Sequence, residues 1–109
     1  MKLFWEDKDG NKYLLGILDK KDNCYYFEKN KEGLSQAISH GCFGIGNMDL
    51  TQDIVKSEEL FPFFKNRIPS IDNSIIKDIL KSYDLLEYDE YELLKRSHGS
   101  LLTDKYYLE

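Results

Sequence analysis

Lys12-Tyr13-Leu14-Leu15-Gly16-Ile17-Leu18-Asp19, followed after a polar turn by Cys24-Tyr25-Tyr26-Phe27-Glu28, is the stretch that decides the fold. An extended chain sends successive side chains to opposite faces. In the first run Tyr13, Leu15 and Ile17 then share one face, and Leu14 and Leu18 the other. Both faces are apolar, which predicts a central strand. The second run sets Tyr25 and Phe27 against Cys24 and Tyr26, and the turn between the runs spans Asp19–Asn23. Upstream, residues 2–6 form a short apolar run that ends in charge, and Asp7-Lys8-Asp9-Gly10-Asn11 is a turn cluster whose Asp-Gly pair suits positive φ. Three strands joined by two short turns make an antiparallel meander.

Downstream the period changes. Leu34, Ala37 and Ile38 recur at helical spacing and predict a short helix over 31–39. Three glycines between Gly41 and Gly46 predict a loop, and 53–56 a further short strand. In Leu60-Phe61-Pro62-Phe63-Phe64 the proline fits only the first turn of a helix. Over 73–83 the residues Ile75, Ile76, Ile79, Leu80 and Tyr83 share one helix face, with Ser70 or Asp72 as the N-cap. Asp89 and Glu92 form a capping box for the next helix, and Gly99 is placed to end it. Residues 103–108 alternate as a closing strand. The expected class is α+β: a small antiparallel sheet, made of an N-terminal meander and a closing strand, packed against three or four short helices. Residues 1–109 are expected to form a single domain.

Composition narrows the function. The chain carries 20 acidic against 15 basic side chains, a net charge of −5. Phosphate backbones are held by Lys and Arg, so duplex nucleic acid is not the expected partner, and a basic protein surface matches better. No signal-peptide pattern opens the sequence and no apolar run approaches a membrane span, so a cytoplasmic protein with no membrane partner is expected. Cys24 and Cys42 are then expected to stay reduced.

No reaction is legible. Gly41, Gly44 and Gly46 read G-x-x-G-x-G, the reverse of the dinucleotide fingerprint, without the strand and helix that aim amides at a phosphate. Cys24, His40, Cys42 and His98 have the chemistry of a zinc site but lack the close-spaced cysteine pair, so no metal and no cofactor is expected. A Cys–His nucleophile has no support in the spacing. The acidic pairs Glu58-Glu59 and Asp89-Glu90 fit solvated faces. Phe43 and Ile45 stand out inside the glycine loop, where each either tucks into the core or protrudes as an anchor for a partner. The strand aromatics Trp5, Tyr13, Tyr25 and Tyr26 stand among Glu6, Asp7, Asp9 and Glu28 and fit core packing better than base stacking.

The order of motifs resembles the N-terminal region of HipA-type kinases. Leu15-Gly16-Ile17-Leu18 followed by Tyr25-Tyr26-Phe27-Glu28 is similar to that family's opening strands. Leu60-Phe61-Pro62-Phe63-Phe64-Lys65-Asn66-Arg67-Ile68-Pro69 resembles its "pFFenLLPeg" segment. The helix from Ile75 to Tyr83, then Tyr88-Asp89-Glu90-Tyr91-Glu92-Leu93-Leu94, resembles its "dfdLLa" segment, and His98-Gly99 falls where the family has Gly-Gly. In that family the region is a small subdomain ahead of a serine/threonine kinase body, and no phosphate-binding loop or catalytic or metal-binding Asp motif of a kinase stands in this sequence. A free-standing version is similar to the HipS-type antitoxins, separate proteins that bind and restrain a truncated kinase. The resemblance therefore implies a non-enzymatic, antitoxin-like module whose partner is a HipA/HipT-type kinase. The ending Ser100-Leu101-Leu102-Thr103-Asp104, with Ser57-Glu58-Glu59-Leu60-Phe61, resembles instead the region upstream of the DNA-associated HIRAN domain in some bacterial proteins. That implies the alternative of a nucleic-acid-associated accessory domain. The contact surface is expected in the loop 40–48 and the segment 57–67, with Phe43, Ile45, Phe61, Phe64 and Arg67 as the partner-binding residues.

Overall fold

The computed structural model describes residues 1–109. Its centre is the long strand β2 (Lys12–Lys21), flanked by β1 (Lys2–Glu6) and β3 (Cys24–Lys29). Beyond β3 lies β4 (Ile54–Ser57) and beyond β1 lies β5 (Tyr106–Leu108), giving an antiparallel sheet in the order β4-β3-β2-β1-β5. Four helices complete the fold: α1 (Lys31–Ser39), α2 (Pro62–Lys65), α3 (Ile76–Ser82) and α4 (Glu90–Ser97). The α+β class, the meander and the closing strand are those expected. No helix is long and apolar enough to cross a membrane.

Two details of β2 differ from the simple alternation. Leu3 pairs with Gly16 but Phe4 pairs with Leu14, so Leu15 is the extra residue of a β-bulge. The bulge resets the phase: Leu15 and Leu18 are both buried, while Ile17 is turned to the other face and left 40% exposed. The strand also runs through Lys21, past the expected turn at Asp19, because Asp22 and Asn23 both adopt the left-handed region (φ 52° and 63°) and close a two-residue hairpin. Asp and Asn tolerate that conformation better than other residues with a Cβ.

One sheet face is covered. Leu3, Leu15, Leu18, Phe27 and Leu108 meet Leu34 and Ala37 of α1, Ile45 of the following loop, Phe64 of α2 and Leu94 of α4 in a single cluster. α1 starts where the Asn30 side chain accepts the Gly33 amide at 2.8 Å. It lies so close to β2 that a Cβ on Gly33 would stand 1.9 Å from the Leu14 carbonyl oxygen. α4 is capped by Asp89, which accepts the Glu92 amide at 3.1 Å. The Glu92 side chain turns to Arg96 instead of back to the cap, so only half of the expected box forms. The chain leaves α4 through the left-handed residues His98 and Gly99.

The other departure is α3. Helical spacing over 73–83 predicts a buried face, yet no residue from Ile68 to Glu92 is buried. Neither Ser70 nor Asp72, the expected caps, caps the helix, whose first residue is preceded by Ile75 with no side-chain cap; Ser70 and Asn73 act elsewhere. Their side chains accept the amides two residues on, at 3.2 and 3.0 Å, and hold turns that delay the helix to Ile76. The accessible surface is 7242 Å², against about 6,300 Å² for a chain of this mass, and this segment with no buried residue is part of that excess.

Candidate protein interface

The loop after α1 is built from three residues at positive φ, Gly41 (110°), Gly44 (91°) and Gly46 (58°), a region that a side chain rarely adopts. Between them the chain alternates direction. Cys42 and Ile45 point into the core, and Phe43 is 101% exposed. The loop is fastened from behind. The Gly44 carbonyl accepts the Tyr106 hydroxyl at 2.6 Å, the Cys42 thiol lies 3.5 Å from the same hydroxyl, and the Cys42 amide donates to the Ala37 carbonyl at 3.0 Å. Burial raises the Tyr106 pKa, the Cys42 bond and the Asp104 charge add to this against the opposing Arg67 cation, and the hydroxyl stays a donor. The glycine loop therefore holds one aromatic side chain out on a tethered backbone.

Four of the five expected contact residues lie inside the fold instead of on its surface. Ile45 is wholly buried, as is Phe64, and Phe61 and Arg67 are buried as well. The physical reason is α2. Pro62 starts a single turn that carries Phe61 and Phe64 to the same side, where Phe64 meets Phe27 of β3 (ring centroids 5.7 Å apart), Phe61 (6.3 Å) and Phe63 (5.2 Å). Arg67, just beyond, runs inward between the rings of Phe63 and Tyr106, 5.1 and 5.3 Å from their centroids. Its guanidinium donates from Nη1 and Nη2 to both carboxylate oxygens of Asp104 (3.0 and 2.5 Å), from Nε to the Gly99 carbonyl (2.6 Å), and from Nη2 to the Tyr106 carbonyl (3.2 Å). These are the tie between α2, the end of α4 and β5. Of the five residues only Phe43 is exposed.

The two cysteines and two histidines are dispersed. His40 stacks on Tyr13 (5.3 Å), His98 bonds the Leu108 carbonyl through Nδ1, Cys42 is in the core and Cys24 is on β3. No three His, Cys, Asp or Glu side chains converge as a metal site would need.

Sequence reasoning missed the second face of the sheet. There Phe4 stacks on Tyr107 (5.6 Å), and Ile17, Tyr26 and Ile54 line a shallow cleft of about 450 Å³ edged by Asp19, Lys21 and Glu28. A second cleft, of about 510 Å³, runs along the core side of β4 among Met48, Val55, Phe61 and Phe63. The signal for the first was the charge alternating with Tyr26 and Ile54, hidden by the bulge that moves Ile17 to this side. No family model matches the chain, and no curated protein matches it.

Proposed function

We propose that the protein is a non-catalytic protein-binding module that docks through the loop 41–46 with Phe43 as its anchor. The observation that carries this reading is a fully exposed aromatic ring on a loop whose neighbours, Cys42 and Ile45, are both buried. A large rigid side chain held out in this way loses little conformational entropy on binding, and aromatic anchors dominate many interfaces. The resemblance of the motif order to the HipA N-terminal region makes a HipA/HipT-type kinase the partner, and an antitoxin-like restraint of that kinase the role. The acidic balance of the chain, −5 overall, fits a kinase cleft that holds phosphates and is correspondingly basic.

The test mixes the protein with a HipA-type kinase from the same host that lacks its own N-terminal subdomain, and follows complex formation and autophosphorylation. The parent should bind and restrain the kinase. Phe43→Ala should weaken binding at least about tenfold while leaving unfolding free energy within about 0.5 kcal/mol of the parent, since the ring touches nothing in the fold. An unbound and unrestrained kinase overturns the kinase assignment, and undiminished binding by Phe43→Ala overturns the loop.

One observation favours the second reading, a nucleic-acid-associated domain. On the open sheet face Lys12 lies over the Tyr107 ring (5.4 Å) and Lys56 over the Tyr26 ring (5.7 Å), so aromatic faces and cations alternate. Single-stranded oligonucleotide affinity that falls steeply with salt is its signature. No binding at low salt removes it.

A further inference from the structure

From the free edge of β4 we infer a second docking site, one that takes an extended peptide segment as an added strand, with apolar side chains at alternate positions and basic residues at its ends. This site is separate from the Phe43 loop. The Lys29 amide donates to the Asp53 carbonyl at 3.0 Å, which sets the phase of the ladder between β3 and β4. Asp53, Val55 and Ser57 therefore face β3, and the amides and carbonyls of Ile54 and Lys56 project outward with no strand beyond them. An unpaired strand edge of this kind is a template for another chain.

Side chains of an added strand alternate between the two faces of the sheet. Here each face has a cleft beside the edge. Val55, Met48, Phe61 and Phe63 line the one on the core side, and Ile54, Tyr26 and Ile17 the one on the open side. Ile54 is 51% exposed, and pairing along the edge would cover it.

The charge around the strand selects the occupant. Asp49 precedes β4, and Glu58 and Glu59 follow it, and none of the three is in an ion pair with a cation of the protein. The Asp49 pKa is lowered, first by the Thr51 hydroxyl and then by its amide, so the carboxylate is ionised and held in place. Asp53, by contrast, is paired with Lys31 at 3.1 Å. A second copy of this chain is the wrong partner. Antiparallel pairing of two β4 edges about a two-fold axis brings the Asp49 end of one copy towards Glu58 and Glu59 of the other at both ends, and like charges across strands are destabilising. A strand with Lys or Arg at its ends meets the same carboxylates favourably.

The test titrates the full chain with the labelled peptide Lys-Lys-Val-Thr-Val-Thr-Val-Lys-Lys and, separately, with its counterpart carrying Glu at both ends. The basic peptide should bind at least about tenfold more tightly than the acidic one, and Glu58→Lys/Glu59→Lys should narrow or reverse that order. Lys56→Pro removes an outward amide without touching the bonds to β3, a place where an edge strand accepts proline. It should leave the melting temperature close to the parent and weaken the basic peptide by about tenfold or more. Amide hydrogen exchange on the unsubstituted chain is the independent readout, with the Ile54 and Lys56 amides slowed when peptide is bound. Phe43→Ala should bind the peptide as the parent does, so that failure of the loop and failure of the edge are told apart. No binding of the basic peptide, binding without slowing of those two amides, equal affinity for both peptides, or self-association through β4 in place of peptide capture would each overturn the proposal.

Discussion

Removing the Arg67 guanidinium should cost the protein a large part of its stability. The side chain is 3% exposed and its partner Asp104 29%. In Arg67→Ala, the Gly99 and Tyr106 carbonyls each lose a donor, at about 1 kcal/mol apiece. The ring faces of Phe63 and Tyr106 lose a cation that fills the space between them, about 1 kcal/mol more. Breaking a buried pair by deleting one partner costs about 3–5 kcal/mol in all, and the partial exposure of Asp104 lets water replace some of the loss. The sum is about 3–4 kcal/mol, out of roughly 5–15 kcal/mol for a domain of this kind, or a fall in melting temperature of about 15 °C. Urea unfolding followed by Trp5 fluorescence and circular dichroism measures it. A cycle with Arg67→Met, Asp104→Ala and the double variant should show a coupling of at least about 1 kcal/mol, because the two groups share bonds and burial. An Arg67→Ala protein within about 1 kcal/mol of the parent would refute the tie. Loss of partner binding at unchanged stability would return Arg67 to the surface role that its sequence context implies.

Two other outcomes are accessible to the same assays. Gly33→Ala should destabilise by about 1–3 kcal/mol although alanine is the better helix former by about 1 kcal/mol, because the added methyl meets the Leu14 carbonyl at 1.9 Å and α1 must slide off β2; a higher melting temperature would show that the helix moves freely. Acid unfolding should depend on Asp7, where burial would raise the pKa but bonds from Asn11, Tyr13 and Asp9 outweigh it and hold the carboxyl at about 2, below its usual 3.8. A lowered folded-state pKa contributes stability that is present above the unfolded value and lost as pH falls from about 3.8 through about 2, so Asp7→Asn should flatten that limb of the stability curve.

The elements that were legible are those whose signal is local. α1 was read to its ends from Leu34, Ala37 and Ile38 at helical spacing, and the Asn30 side chain caps it one residue ahead. The β2–β3 hairpin and the Asp89 cap are likewise decided by residues within a few positions. What was not legible depends on distant partners. Arg67 is a charged residue beside an exposed asparagine, and nothing near it announces Asp104, 37 residues away. The bulge at Leu15 is set by pairing with β1, so the alternation of β2 alone misplaces Ile17. The apolar spacing of α3 reads as a core face, yet turns held by Ser70 and Asn73 leave it on a satellite segment with nothing buried. Phe43 and Ile45 have equal hydrophobic claims on the core, and only the glycine conformations on either side separate them.

The buried members of the five expected contact residues are linked to the loop that carries Phe43. Arg67 lies against the Tyr106 ring, and the Tyr106 hydroxyl bonds the Gly44 carbonyl one residue from Phe43. Phe63 packs edge-on against the same tyrosine and against Phe64, and a Cβ on Gly46 would meet the Phe63 ring at 3.3 Å. A continuous set of contacts therefore runs from the buried ion pair to the exposed ring. The aromatic segment 61–67 backs the glycine loop through Phe63 and, by way of Tyr106, through Arg67. A loop with three residues at positive φ has much backbone entropy to lose on binding, and one already fastened at Cys42, Gly44 and Ile45 has lost most of it in folding. Preorganisation of that kind supports the proposal that a single phenylalanine, Phe43, serves as the anchor.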